Sequence, residues 1–420
     1  MNEFETVNNQ IYCENLSVKE IAEKEGTPLY IYSEKAITDR FKQLDDAFSE
    51  IPHLICYSVK CNSNLSVINL LAKKGAGFDI VSGGELFRVL KAGGETSNVV
   101  FAGVGKSQRE IKFAIEHDIK VFTVESEQEL ERINSVAETF GKKAGIAIRV
   151  NPNVDPLTHK YISTGKKENK FGLDIERAKR AYRLAMNLPA VNPVGIQIHI
   201  GSQITNWSPF AEAIDKMIPV IKELQDQGIP LEFFDIGGGL GIIYKDEKPQ
   251  TPQEFAETVI PRIKPLKLTL IMEPGRFIMG NSGILVTRVE YLKESGEKTF
   301  VIVDAALNDL IRPSLYDAYH HIVPVEDNKN DVRNVDIVGP ICESGDFFAK
   351  DRPLPLPSTK DLLAIKSAGA YGFTMASNYN SRPRPTEILV SGNNYKVIRQ
   401  RESWEDLIQH ETMPQKELNR

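Results

Sequence analysis

Residues 53–82 read His53-Leu54-Ile55-Cys56-Tyr57-Ser58-Val59-Lys60-Cys61-Asn62-Ser63-Asn64-Leu65-Ser66-Val67-Ile68-Asn69-Leu70-Leu71-Ala72-Lys73-Lys74-Gly75-Ala76-Gly77-Phe78-Asp79-Ile80-Val81-Ser82. An apolar run leads through a polar loop to Leu65, Ile68, Leu71 and Ala72 at helical spacing, and then to a second apolar run. That order is strand, loop, helix, strand, the parallel βαβ unit. The theme recurs along the chain. Strand candidates are His53–Lys60, Gly77–Ser82, Asn98–Gly103, Val121–Glu125, Ala144–Val150, Val194–Gly201, Phe233–Gly239 and Leu268–Gly275. Helical periodicity falls between them at Leu86, Val89 and Leu90, and across Asp174–Leu188, Phe210–Gln227 and Thr251–Leu266. Eight strands within about 225 residues predict an α/β chain with a closed (β/α)8 TIM-like barrel; an open doubly wound sheet is the alternative.

Beyond Gly280 the pattern changes. Gly283–Leu292, Lys298–Ala305, Asn334–Cys342, Leu362–Ser367 and Glu387–Gln400 are strand-like, and several are rich in Val and Ile. Asp327–Asp331 and the proline-rich Lys350–Lys360 read as loops. A second, mainly β domain is expected. Leu29-Tyr30-Ile31-Tyr32 is a short strand able to join either domain, and Met413–Arg420 reads as a frayed tail. The 420 residues are too many for one ordinary domain. A hydrophobic share of 41% beside 26% charged residues argues against wholesale disorder. With 51 basic and 57 acidic residues the net charge is −6, which gives no general attraction for nucleic acid or anionic membrane. No run of about 18 apolar residues could span a bilayer. The acidic start Met1–Glu5 lacks the pattern of a secretory signal. Cys13, Cys56, Cys61 and Cys342 are scattered without paired spacing, as expected in a reducing cytoplasm.

Active sites of such barrels lie at the carboxyl ends of the strands. Lys60 ends the first strand candidate, and strict alternation puts it on the face of Ser58. A desolvated lysine there is an amine nucleophile able to form a Schiff base; otherwise it is a strand-end lysine reaching solvent. Gly237-Gly238-Gly239 lets backbone amides approach an anion such as phosphate, or is a plain tight turn. It is no dinucleotide fingerprint, because Ile242 stands where a third spaced glycine is required. Ser202 is a further phosphate donor. His199 shares a face with Gln197 and could stack on a flat cofactor, or be a hydrogen-bonded interior histidine. Glu273 ends an apolar strand, where a carboxylate needs a proton or a cation; a protonated pyridine or Arg276 would serve. Together these residues supply the amine, the ring partner, the pyridinium partner and the phosphate cradle that pyridoxal 5'-phosphate requires. No His spacing suits a metal site.

The chain resembles the fold type III pyridoxal phosphate-dependent decarboxylases. The motifs that carry the likeness are Tyr57–Asn62, Phe78–Leu86, His199–Gln203, Asp235–Gly239, Glu273–Arg276, Arg312–Tyr316, Cys342–Asp346 and Gly369–Gly372. The resemblance implies an alanine racemase-like architecture: a strand segment over 1–32 joining the β domain, a barrel over 33–280 and a β domain over 281–420. It implies that Lys60 carries the cofactor, His199 stacks on its ring and Glu273 pairs with its pyridine nitrogen. Asp79, Gly237, Gly238, Gly239, Ser202, Gly275, Arg276 and Tyr371 complete the implied cofactor set. It also implies a homodimer with shared active sites, in which Cys342 is the proton donor contributed by the second copy. Ser58 and Cys61 stand where the family usually has alanines.

The substrate is expected to be a small amino acid. One ending in ammonium alone, such as ornithine, needs a distal acid and no arginine. Meso-2,6-diaminopimelate carries a carboxylate and an ammonium at its distal end, and so needs a bidentate guanidinium, a hydroxyl and an acid. Arg276, Arg312, Tyr316, Tyr371 and Glu343 supply these, with Arg312 and Tyr316 adjacent only if their segment is helical. The expected reaction is decarboxylation to L-lysine. An ornithine- or arginine-type decarboxylase, a racemase and a non-catalytic regulatory homologue are the alternatives.

Overall fold

The computed structural model describes residues 4–155 and 170–413. Contacts divide the chain into two units, one spanning Glu34–Ser282 and the other joining the segment up to Ser33 with that from Gly283 onward.

The first unit is a closed parallel barrel. Its strands are His53–Ser58, Gly77–Ile80, Val99–Phe101, Val121–Val124, Ala144–Arg149, Val191–Gln197, Phe233–Asp235 and Thr269–Met272. Each pairs with the next in sequence, and Leu270 opposite His53 closes the ring. Most of these strands are buried along their whole length, which explains their near-continuous apolar runs. Cys56, Val100, Val121, Ala147, Val194, Phe233 and Ile271 pack together. A Cβ at Gly195 would lie 2.1 Å from the Phe233 ring, so only glycine leaves room for that aromatic. Burying such a ring contributes about 2–3 kcal/mol.

The helices start where the sequence supplies caps. Ser82, Ser107, Ser126, Asp174 and Thr251 each accept a backbone N–H of the first turn, and Ser107 with Glu110 and Thr251 with Glu254 form capping boxes. Each cap is worth about 1 kcal/mol. In Ser208–Asp226 the buried set Phe210, Ala213, Ile214, Met217, Ile221 and Leu224 follows the helical period.

The second unit is built on a mainly antiparallel sheet. Leu29–Ser33 lies inside it, antiparallel to Gly283–Ser295 and parallel to Thr386–Ser391. The long candidate Glu387–Gln400 is a hairpin of Thr386–Ser391 and Asn394–Arg399 that turns at Gly392, where φ is +59°. A small sheet of Phe4–Val7, Gln10–Cys13 and Leu16–Ser17, with the helix Val18–Glu25, adds Phe4, Ile11 and Ile21 to the core of Leu29, Ile31, Ile284 and Ile388.

Three expectations need correction. Lys350–Pro355 is not loop: it belongs to the strand Phe347–Pro355, which pairs with Val332–Val338. That strand is at the sheet edge, where a proline's missing N–H need not cost a ladder bond. Lys60 is not on a strand, because the first barrel strand ends at Ser58 and Val59–Cys61 is a single 3-10 turn. The run Val194–Gly201 ends as strand at Gln197, so alternation does not govern His199. Beyond Met413 the expected tail lies outside the described residues. Among the described residues no helix is long and apolar enough to cross a membrane.

Candidate active site

The 3-10 turn after the first strand brings the Lys60 ammonium to 2.5 Å from Asp79 Oδ2, at the end of the second strand. Ser58 Oγ donates to the same oxygen at 2.5 Å. Lys60 is therefore ion-paired and 39% exposed, whereas Asp79 is fully buried. Desolvation is not what distinguishes this lysine; a buried carboxylate, itself steadied by a serine, holds it in place. Glu85 lies nearby in charge terms. Burial raises its carboxyl to about 7, with the Asp79 charge adding and the Val81 amide opposing.

On the neighbouring strands of the ring, Asp235 and Glu273 stand at the ends of the seventh and eighth strands, 1% and 5% exposed. Burial pushes both carboxyls up, and in Glu273 the charges of Asp235 and Asp79 push the same way. Asp235 Oδ2 and Glu273 Oε1 are buried without any donor. Two buried acids this close in charge terms favour the protonated form, so the pair resists carrying two negative charges. Gln197 Nε2 lies 3.5 Å from the other Glu273 oxygen. A buried acid pair with open acceptor oxygens is a receptor for a cationic N–H.

The triple glycine does more than make a turn. A Cβ would fall 2.6 Å from His199 Nδ1 at Gly237, 2.2 Å from the Glu273 carbonyl oxygen at Gly238 and 2.3 Å from the Gly201 carbonyl oxygen at Gly239. Gly237 and Gly239 also have φ of +72° and +105°. Two of the three amides are committed, Gly237 N–H to Asp235 Oδ1 at 2.8 Å and Gly238 N–H to His199 Nδ1 at 3.2 Å. Because Nδ1 accepts, the imidazole is neutral with its proton on Nε2. Burial lowers the His199 pKa well below the usual value, and the charges of Arg149 and Lys60 add to this. Arg276 donates to Tyr244 Oη at 2.6 Å and to Ser202 Oγ at 3.0 Å, so the Ser202 proton is left to point elsewhere. A Cβ at Gly275 would be crowded, 3.0 Å from Ser58 Cβ and 3.1 Å from Cys61 Cβ.

Lys60, Asp79, His199, Ser202, Gly237 to Gly239, Glu273, Gly275 and Arg276 are thus gathered at the strand ends of one barrel. They fit pyridoxal phosphate by an amine on a partly exposed side chain, open acid oxygens for a ring N–H, a flat neutral imidazole and a surface stripped of Cβ atoms. Among the described residues no cluster suits a metal ion. Sequence reasoning did not single out Asp235, Gln197, Glu85 or Tyr244. Asp235 carried a local signal, an aspartate two residues before a glycine whose amide it accepts.

In the second unit, Arg312–Tyr316 is a short helix, so Arg312 and Tyr316 do share a face. Ser314 Oγ donates to the Gly345 carbonyl at 2.6 Å, tying this helix to the Cys342–Asp346 loop. Asp346 anchors that loop through the amides of Leu307 and Ile341. Cys342 and Glu343 are exposed, with the Cys342 N–H on Asn380 Oδ1 and Glu343 accepting from Tyr379 Oη. Tyr371 is half-buried in a left-handed conformation, φ +57°.

Residues 34–280 match the family described as pyridoxal-dependent decarboxylase, pyridoxal binding domain. The chain is 50% identical over 399 residues to the diaminopimelate decarboxylase of Vibrio cholerae, covering 95% of each. It is 50% identical over 401 residues to that of Neisseria meningitidis, covering 96% of this chain and 98% of the other. The crystal structure of diaminopimelate decarboxylase from Helicobacter pylori complexed with L-lysine superposes with a TM-score of 0.90 at 44% identity, over 93% of this chain and 98% of that one.

Proposed function

The chain belongs to the diaminopimelate decarboxylase family of pyridoxal-dependent decarboxylases, and from that premise we propose how its own residues divide the work. It is a pyridoxal phosphate-dependent carboxy-lyase that removes carbon dioxide from meso-2,6-diaminopimelate and leaves L-lysine, the last step of lysine biosynthesis. When bound, the cofactor supplies the electron sink that accepts the bonding pair of the departing carboxylate. Lys60 is the amine that holds its aldehyde. Asp79, gripped by Ser58, keeps the ammonium of Lys60 within reach of that position and takes part in its proton traffic. Glu273, with Asp235 beside it, would hold a protonated ring nitrogen through its open carboxylate oxygen. The neutral His199 would offer its flat face to the ring without competing for that proton. Ser202, Gly239, Tyr371 and the amides of Gly275 and Arg276 hold the phosphate, while Gly237 and Gly238 contribute space.

Arg312 and Tyr316 take the distal carboxylate, with Arg276 and Tyr371 completing the substrate contacts, and Glu343 takes the distal ammonium. Their chemistry supports this, since a guanidinium and a hydroxyl are idle for a substrate whose far end is an amine alone. Cys342 returns a proton to Cα. Two copies form a homodimer with shared sites, a reading supported by the exposure of Cys342 and Glu343 on a single chain. All four cysteines are free, consistent with a reducing cytoplasm.

The observation that carries the reading is the buried Asp235–Glu273 acid pair on the rim that also presents Lys60. Trapped carbon dioxide from diaminopimelate, and not from ornithine or arginine, is the expected result with purified holoenzyme. Release from ornithine alone would overturn the substrate. Mixing the separately inactive Lys60→Ala and Cys342→Ala proteins should restore part of the activity. No restoration under conditions of subunit exchange would overturn the shared site.

A further inference from the structure

The Arg312 guanidinium is buried, and its Nη1 donates to His320 Nε2 at 3.0 Å. His320 is completely buried, and its Nδ1 lies 2.9 Å from the Lys366 carbonyl oxygen. Its backbone is fixed as well, because Arg352 Nη1 donates to the His320 carbonyl at 2.7 Å and Lys366 N–H to the His321 carbonyl at 2.8 Å. The chemistry of the contact fixes the tautomer. A guanidinium can only donate, so Nε2 must present its lone pair, and Nδ1 must then carry the hydrogen given to Lys366. The imidazole is locked at both nitrogens in one orientation.

We infer that His320 is a positioning residue that aims the Arg312 guanidinium at the substrate's distal carboxylate. The inference rests on the reading of Arg312 given above. A neutral acceptor suits this task better than an acid. Aspartate or glutamate in its place would neutralise the guanidinium and compete for the fork that a carboxylate needs. Imidazole takes one N–H and restrains a long flexible side chain without itself adding a negative charge. His320 thereby contributes to selectivity for a distal carboxylate without touching the substrate.

The test compares holoenzyme variants by KM and kcat for diaminopimelate, and by inhibition with L-lysine, which keeps the distal carboxylate, and 1,5-diaminopentane, which lacks it. His320→Ala should raise KM and the lysine inhibition constant about tenfold, the worth of one charge-assisted hydrogen bond, and leave kcat within about twofold. Inhibition by 1,5-diaminopentane should not change. His320→Gln, whose amide oxygen can stand where Nε2 stands, should recover most of the loss; His320→Asn reaches only the Nδ1 position and should not. His320→Glu should be worse than alanine. Should the alanine variant fail to fold, the glutamine and asparagine pair carries the comparison. Wild-type KM in His320→Ala and His320→Glu, beside a raised KM in Arg312→Ala, would overturn the inference alone. Equal loss for both inhibitors with no glutamine rescue would reduce His320 to packing and also overturn it. An unchanged KM in Arg312→Ala would instead remove the underlying reading of Arg312.

Discussion

Replacing Glu273 by glutamine should make the cofactor-free protein more stable at alkaline pH while weakening its hold on the cofactor. Asp79, Asp235 and Glu273 are three buried carboxyls sharing one end of the barrel. Burial raises Asp235 from 3.8 to about 7, and Glu273 is raised as well. Between the ordinary and the raised values the folded protein holds more protons than the unfolded chain, so stability falls as pH rises through that window. Each tenfold preference of the folded state for the protonated form costs about 1.4 kcal/mol, and a rise as large as that of Asp235 costs up to about 4 kcal/mol by pH 8. Glutamine removes one acid and gives Asp235 a donor, which returns Asp235 toward its ordinary range. Urea denaturation of the cofactor-free proteins should therefore coincide near pH 3, below the ordinary values of both acids, and favour Glu273→Gln by roughly 2–4 kcal/mol at pH 8. The cofactor dissociation constant, from absorbance titration, should rise about 10- to 100-fold through loss of a charge-assisted hydrogen bond. A variant with the wild-type pH slope and wild-type cofactor affinity would refute this account of the buried acid pair.

Gly238→Ala places a Cβ 2.2 Å from the Glu273 carbonyl oxygen, about 1 Å inside contact distance, so the seventh and eighth strand ends must part. Cofactor affinity should drop at least about tenfold, with a near-normal far-ultraviolet dichroism spectrum. Lys60→Ala should lose activity by about 10³-fold or more, and borohydride treatment should leave no cofactor mass on the protein. Cofactor mass retained at another residue would contradict the assignment. Glu402 is opposed by its burial, but Arg384 and Asn378 outweigh that and hold its carboxyl at about 2. This lowered group stabilises above its ordinary value, and the contribution is lost as pH falls from about 5 to about 2. Glu402→Gln should cost about 1 kcal/mol at pH 7, discounted for partial exposure, and nothing near pH 2, measured by urea denaturation.

The barrel was readable because alternation of buried strands with amphipathic helices is a local pattern that recurs around the eight-stranded ring. The strand ends were less readable. Phe233–Asp235 is three residues long although the apolar and glycine run continues to Gly239, since buried loop backbone and buried strand look alike in sequence. Lys60 shows the same limit: it stands in a 3-10 turn and not on the strand, although its ammonium and the Ser58 hydroxyl meet the same Asp79 oxygen. The amino-terminal sheet carries no alternation in Phe4-Glu5-Thr6-Val7 and was not foreseen. In the site, residues with an intrinsic chemical signature were legible, among them Lys60, His199 and Glu273. Residues whose role comes from a distant neighbour were not. Asp235 depends on Glu273, Tyr244 on Arg276, and His320 on a carbonyl 46 residues away.

The triple glycine illustrates why such dependence resists sequence reading. A glycine run after a strand suggests an anion cradle, yet Gly237 and Gly238 spend their amides on Asp235 and His199. The same turn therefore orients the His199 imidazole and one member of the acid pair, while the Gly238 backbone packs against the residue carrying the other. Backbone at position 238 cannot move without moving both His199 and Glu273. Phosphate-end and pyridine-end recognition are then coupled through three consecutive residues. A substitution there should weaken both ends at once, whereas one at Ser202 should affect only the phosphate end. Comparing cofactor affinity with that for pyridoxal, which lacks the phosphate, separates the two. Gly238→Ala should weaken both ligands, and Ser202→Ala only the phosphorylated one. Equal weakening of pyridoxal by Ser202→Ala would break the proposed division of labour.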